Sequence, residues 1–145
     1  MRQGVYLIDT NVISEARKGA AANPGVTAFF KHCAEQSLRV YLSVVTVGEL
    51  RRGVELIRHR GDKLQAERLE AWLAVVVQDY RDFLLPLDLD IAQAWGRLRV
   101  PHHENALDKQ IAATALMHDL TLVTRNADDF AGTGVRLLNP FTPAV

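Results

Sequence analysis

The sequence has a single cysteine, Cys33, in 145 residues, so the chain can close no disulfide on itself and build no cysteine-rich metal site. Cys33 lies in FFKHCAEQ, where a helix would turn it toward the apolar face, and a packed, unreactive thiol is expected. A surplus of either charge is also missing. The 17 basic residues offset 17 acidic ones, so whole-chain attraction to polyanions is excluded and any nucleic-acid site must be local. No apolar run approaches the roughly 18 residues of a membrane span, and the first run meets an acid at Asp9, so neither a span nor a secretory leader is expected. With the lone thiol, these absences fit a reducing, cytoplasmic setting. Repeats, low-complexity stretches and Pro/Gly/Ser-rich linkers are absent too, and one domain over residues 1–145 is expected.

What the chain does contain is alternation. Five short runs, VYLI (5–8), VYLSVV (40–45), FLLPL (83–87), LTLVT (120–124) and VRLL (135–138), are nearly continuous in apolar character. Strands covered on both faces of a parallel sheet read this way. Helical stretches at 24–37, 46–60, 62–79, 89–99 and 108–118 lie between them, and a short helix over 11–17 follows the first run. The alternation predicts a doubly wound α/β domain with right-handed crossovers. HRGDK (59–63) reads as the break of a helical hairpin, with Gly61 closing one helix and Asp62 capping the next.

In open α/β sheets ligands bind beyond the carboxyl ends of the strands. Asp9 ends the first run, and an acid ending a buried strand needs partners. TVGEL, after the second run, carries Glu49; TRNADDF, after the fourth, carries Asn126, Asp128 and Asp129. Asp108 opens a helix and reaches the same end only if the loop 100–107 carries it there. Carboxylates about 4 Å apart repel strongly, and a hard divalent cation removes the conflict. Mg²⁺ and Mn²⁺ prefer carboxylate oxygen, whereas the absence of a paired histidine or cysteine set argues against zinc. The matching chemistry is phosphodiester hydrolysis. Ordinary roles compete for each acid. Thr46 and Glu49 have the spacing of a capping box, Asp108 would favour a helix dipole, and Asp128 and Asp129 could cap or solvate a turn.

Four segments, LIDTNVISE (7–15), SVVTVGELRRGV (43–54), LDKQIAATALMHDLTLVTRNADDF (107–130) and LLNPF (137–141), run from the first strand to the last. In these segments the chain resembles the PIN-domain ribonucleases, and among them the VapC-like toxins of bacterial toxin–antitoxin pairs. The resemblance implies a three-layer α/β/α sandwich around a central parallel sheet of about five strands. It implies a Mg²⁺-dependent endoribonuclease, with Mn²⁺ able to substitute. The family's acids fall on Asp9, Glu49 and Asp108, expected as metal ligands in one cleft, with pKa values raised by mutual repulsion. Its fourth position, an acid in many members, falls on Asn126, expected at the cleft edge orienting a metal water. Asp129 is then expected to cap the turn before Phe130 rather than replace it. Thr10, Asn11 and Thr124 match the polar residues that orient the acids or bound water. The resemblance further implies a VapB-like antitoxin, a homodimer that becomes larger with antitoxin, and DNA contact only through the antitoxin. RNA is the implied substrate, transfer RNA being common among relatives.

RNA requires local positive charge. Arg125 beside the cleft is the first candidate for phosphate contact, and Arg51 and Arg52 in the basic segment 51–68 are further ones. His102, His103 and Glu104 resemble a ligand cluster, but adjacent loop histidines point apart. Two other readings compete with the nuclease. A PIN-like module that has lost catalysis and binds RNA or protein is suggested by Asn126 and opposed by Asp9, Glu49 and Asp108. An aspartyl-phosphate phosphatase would want a second Asp where Asn11 stands, and a receiver domain would want paired acids after the first strand.

Overall fold

The computed structural model describes residues 5–143. Its organising strand is β1 (Val5–Ile8), whose side chains alternate as the pleat requires. Leu7 is fully buried under one helical layer and Ile8 under the other. After β1 the chain forms α1 (Thr10–Ala16), α2 (Pro24–Glu35), β2 (Arg39–Ser43), α3 (Val44–His59) and α4 (Lys63–Asp79). Then come β3 (Leu84–Leu85), α5 (Leu89–Leu98), α6 (Ala106–Met117), β4 (Thr121–Val123) and β5 (Leu137–Leu138). Short 3-10 turns occupy Gly19–Ala21, Arg81–Phe83 and Ala127–Phe130.

The five strands are parallel in the order β3-β2-β1-β4-β5. Register sets the layers. Leu7 lies opposite Tyr41 and Leu122, and these three meet Ile111, Ala112, Ala115 and Phe130 on the α6 side. Ile8 lies opposite Val123 and shares the other side with Leu42, packed beneath Val12, Val26, Leu50, Val54 and Leu73 from α1 to α4. Helix α5 packs outside α6 through Ile91, Ala94 and Ala113. A three-layer α/β/α sandwich around a parallel sheet is therefore what the chain forms. Cys33 is buried in α2, and burial raises its thiol pKa, so it is the packed residue the sequence suggested.

Several boundaries differ from expectation. β2 stops at Ser43, because the Ser43 hydroxyl accepts the Val45 N–H at 3.0 Å and starts α3 two residues early. β3 keeps only Leu84–Leu85, squeezed between the 3-10 turn and Pro86, which has no N–H to give. The break between α3 and α4 is as read, with Gly61 at φ +95° and Asp62 accepting the Gln65 N–H at 3.1 Å.

The order of the strands puts the topological switch between β1 and β4, and Asp9 and Thr124 stand at its carboxyl end. Asp108 gets there because the loop 100–107 is fastened. Trp95 Nε1 donates to the Ala106 carbonyl at 3.0 Å, Arg99 reaches the His103 carbonyl at 3.4 Å, and the buried Lys109 ammonium donates to the His102 carbonyl. His102 and His103 remain exposed beside Glu104. Among the described residues no helix is long and apolar enough to cross a membrane.

Lys109→Met keeps the stem and removes the tie to His102. It is expected to lower stability by about 1–3 kcal/mol, the usual worth of a charged hydrogen bond. Urea unfolding and limited proteolysis at 100–107 measure this, and an unchanged midpoint with no new cleavage would show the loop is held otherwise.

Candidate active site

Asp9 is 4 % exposed, so both carboxylate oxygens need donors. Oδ1 accepts the Thr10 N–H at 2.8 Å, which makes Asp9 the N-cap of α1. Oδ2 accepts the Thr124 hydroxyl at 2.7 Å and the Asn11 amide at 3.4 Å. One acid thus ties the ends of β1 and β4 to the first helix. Asn11 completes the link, its Oδ1 accepting the Arg125 N–H at 3.1 Å. Thr124 in turn accepts the Asn126 N–H at 3.1 Å. Thr10, Asn11 and Thr124 are thus the three residues that hydrogen-bond the Asp9 carboxylate.

Glu49 is not part of a capping box. Ser43 caps α3, which leaves Thr46 in the first turn and Glu49 in the second, facing α1. Its Oε1 accepts the Thr10 hydroxyl at 2.8 Å. Thr10 has one hydroxyl proton and also lies 3.3 Å from the Thr46 hydroxyl. The shorter contact takes that proton, so Thr46, fully buried, donates to Thr10 in turn. A relay Thr46–Thr10–Glu49 aims the glutamate at the cleft.

Asp108 lies in the first turn of α6, after Asn105 in the left-handed conformation (φ 57°). Burial first, then the charges of Asp9, Asp129 and Glu49, raise its pKa to about 6. Burial also raises Asp9 and Glu49. Donors from Thr124 and Thr10 oppose the rise at Asp9 and Thr10 opposes it at Glu49, while Asp129 pushes Asp9 up and Asp9 pushes Glu49 up. The raised values were expected from repulsion alone; desolvation is the larger cause.

Three expectations, for Asp129, for a three-acid cage and for Arg51, need correction. Asp129 does not cap the turn before Phe130: among the described residues its side chain makes no such bond, and its charge acts on Asp9 and Asp108. Asn126, exposed, engages Thr124 through its backbone. Asp9, Glu49 and Asp108 are not drawn into a ready three-acid cage, and among the described residues no three His, Cys, Asp or Glu side chains converge enough to hold an ion alone. Arg51 is not free for RNA, because Glu70 at 2.6 Å and Glu55 at 3.3 Å take its charge, as they take that of Arg58. That Glu70 partner lies on α4, which no local spacing could reveal. Arg52 is exposed, and among the described residues it forms no ion pair.

The site is thus an all-oxygen cluster with net negative charge. That donor set fits a hard divalent cation held by one or two acids with water completing its shell. Asp108 makes the cluster pH-sensitive. Its ordinary value is 3.8 and its folded value about 6, so between them the folded chain binds more protons than the unfolded one. Stability then falls as pH rises through that window, and the penalty is complete above it. Glu15, Glu55, Glu70 and Glu104, lowered from 4.5, act oppositely but only at lower pH. The metal-free protein is therefore expected to melt higher at about pH 5 than at about pH 7, and Asp108→Asn to flatten that trend. Calorimetric melting checks both, and a wild-type profile as flat as the variant's would show that Asp108 carries no such strain.

Comparison with known proteins agrees with the fold. The PIN domain family model matches residues 6–135. The chain is 36% identical over 143 residues to Toxin FitB of Neisseria gonorrhoeae, covering 94% of this chain and 99% of that one. It is 32% identical over 146 residues to VapC ribonuclease Y4jK of Sinorhizobium fredii, covering 97% and 100%. Among solved structures, that of FitAB bound to the IR36 DNA fragment superposes with a TM-score of 0.75 at 32% identity, covering 97% of this chain and 98% of that one.

Proposed function

We infer the function from one premise: the chain belongs to the PIN-domain family. It is a ribonuclease toxin of a VapBC-type toxin–antitoxin pair, and it hydrolyses RNA phosphodiester bonds at the acid cluster. The buried Asp9 carboxylate, held by Thr10, Asn11 and Thr124 at the carboxyl ends of β1 and β4, is the observation that carries this reading. Glu49, bonded to the same Thr10, and Asp108, whose pKa is raised by burial and by Asp9, Asp129 and Glu49, add acids that a hard cation would offset.

Asp9 and Asp108 would hold the ion directly, and Glu49, aimed by Thr10, would hold it through water. Bound there, Mg²⁺, or Mn²⁺ in its place, would lower the pKa of an attacking water and neutralise the phosphate oxygens. Thr124 and Asn11 keep the Asp9 carboxylate in one orientation, and Asp129 supplies the fourth negative charge that Asn126 lacks. That charge also counts against a catalytically impaired binding module, the reading that Asn126 suggests.

The antitoxin partner fits the surface beside Glu49. A cavity of about 220 Å³ between α1, α3 and α4 is lined by Glu49, Leu50, Val54, Ile57, Leu69 and Trp72, with Arg17 also at its wall. Apolar side chains of a VapB-like segment would fill it next to the acids. DNA contact through that antitoxin is a further part of the proposal, in keeping with a FitAB relative solved bound to DNA, and a homodimer of this chain is another.

Purified, antitoxin-free protein is expected to cleave RNA only with Mg²⁺ or Mn²⁺, and Asp9→Asn or Asp108→Asn to abolish cleavage. Cleavage that survives chelation, or survives both substitutions, would refute the site. Asp129→Asn is expected to raise the Mn²⁺ needed for half-maximal cleavage by roughly 10–100-fold, and Asn126→Ala by less. A parent-like Asp129→Asn would return the fourth position to Asn126.

A further inference from the structure

We propose that the groove between Arg125 and the segment 139–143 is a base-binding subsite: it takes one unpaired RNA nucleobase next to the cleaved phosphate, stacked on the Arg125 guanidinium. The inference rests on the ribonuclease reading of the adjoining acids and adds a specificity element to it. The groove measures about 640 Å³ and is lined by Asn23, Pro24, Arg125, Asn139, Phe141 and Thr142, with Pro143 at its end. Its Arg125 wall is tied to the acid cluster through the backbone. Arg125 directly follows Thr124, the donor to Asp9, and Asn11 touches both Asp9 and the Arg125 backbone.

The Arg125 guanidinium carbon lies 4.9 Å from the centroid of the Phe141 ring. The ring supports the cation from one side, the Arg125 side chain is exposed, and both residues line the groove. Unlike Arg51 and Arg58, Arg125 makes no ion pair among the described residues. Glu15 is the acid whose charge it acts on, at longer range than an ion pair. A flat, supported guanidinium outside any ion pair is a surface on which an unpaired base stacks. Its charge also suits the phosphate that comes with the base.

The support is itself built. Asn23 Oδ1 accepts the N–H groups of Gly25 and Thr142, both at 2.9 Å, and the Thr142 hydroxyl at 3.1 Å. Asn23 Nδ2 donates to the Thr142 carbonyl at 3.0 Å, and Asn139 Oδ1 accepts the Phe141 N–H at 3.0 Å. A Cβ on Gly25 would stand 2.1 Å from the Pro140 carbonyl oxygen, so only glycine lets the segment lie this close to α2. Phe141 is therefore fixed before RNA arrives, and stacking on Arg125 orders little that is not already ordered.

Two arms of one experiment separate the subsite from the activity. In the first, a short mixed-sequence single-stranded RNA made uncleavable with 2′-O-methyl groups is compared, by fluorescence anisotropy, with a base-free strand of equal length and charge. Wild-type protein is expected to prefer the strand with bases by roughly 10-fold or more, the worth of one stacked base. Arg125→Lys, which keeps the charge and loses the plane, is expected to bring the preference down to about two-fold or less. Phe141→Leu should act alike, with melting curves reporting its folding; if it does not fold, Arg125→Lys decides alone. In the second arm, an RNA that the wild type cleaves carries an abasic nucleotide on either side of the cleaved bond. One position is expected to lower kcat/KM by roughly 10–100-fold in the wild type and far less in Arg125→Lys. A base preference that Arg125→Lys leaves intact overturns the proposal, as does an equal loss on strands with and without bases, which marks a phosphate contact only. Loss confined to antitoxin affinity overturns it too and assigns the groove to the protein partner. If the wild type cleaves no RNA with Mg²⁺, the ribonuclease reading fails, and the binding arm still decides the groove.

Discussion

The structure turns on the buried carboxylate of Asp9. An apolar strand that ends in an acid is costly unless the charge finds donors at once. Here the Thr10 N–H, the Thr124 hydroxyl and the Asn11 amide converge on it from the start of α1 and the end of β4. These contacts hold the switch point of the sheet together, and the Thr124 and Thr10 donors oppose the rise that burial gives the Asp9 pKa. Thr124, Asn11 and Thr10 each make a second contact, so the geometry of Asp9 spreads to Asn126, Arg125 and Glu49.

Two clusters of charge in this chain behave in opposite ways. On the helical hairpin, Arg51 and Arg58 share Glu55 and Glu70, and each acid falls below its usual pKa. Those groups are exposed and solvated, so the pairs contribute little stability but leave the surface electrically quiet. In the cleft, Asp9, Glu49 and Asp108 have no ion-pair partner among the described residues; burial raises the pKa of all three, and repulsion adds to it, the charge of Asp129 included at Asp9 and Asp108. The fold tolerates this because hydroxyl and amide donors hold Asp9 and Glu49 in place without neutralising them. Rigid, unneutralised oxygens are what a hard cation binds well. Stability is given up where chemistry is expected, a pattern common to active sites.

Much of this was legible in the residues because it depends on local order. The nearly continuous apolar runs marked the parallel strands, and the rule that ligands lie beyond strand ends singled out Asp9 and Glu49. What was not legible depends on contacts between distant segments. Whether Ser43 or Thr46 capped α3 decided which way Glu49 faced, and hydroxyl spacing alone does not rank the two. The neutralisation of Arg51 depends on Glu70, 19 residues away across the hairpin. Asp129 looked like a turn residue because its proximity to Asp9 arises only when β4 pairs with β1. The Arg125–Phe141 platform needs the C-terminal segment folded back against Gly25, a contact with no signature except the glycine itself.

The claim beneath this account is that a divalent cation discharges the strain stored in the acid cluster. Proton release on ion binding tests it most directly. Calorimetric titration of Mn²⁺ into the protein near pH 6, in buffers of different ionisation enthalpy, counts the protons expelled when carboxylates become ligands. With Asp108 lifted to about 6, on the order of half a proton per ion is predicted at that pH, declining toward zero near pH 8. Asp108→Asn should bind the ion more weakly and release far less. Saturable binding with no proton release, or equal release from the variant, would contradict the account.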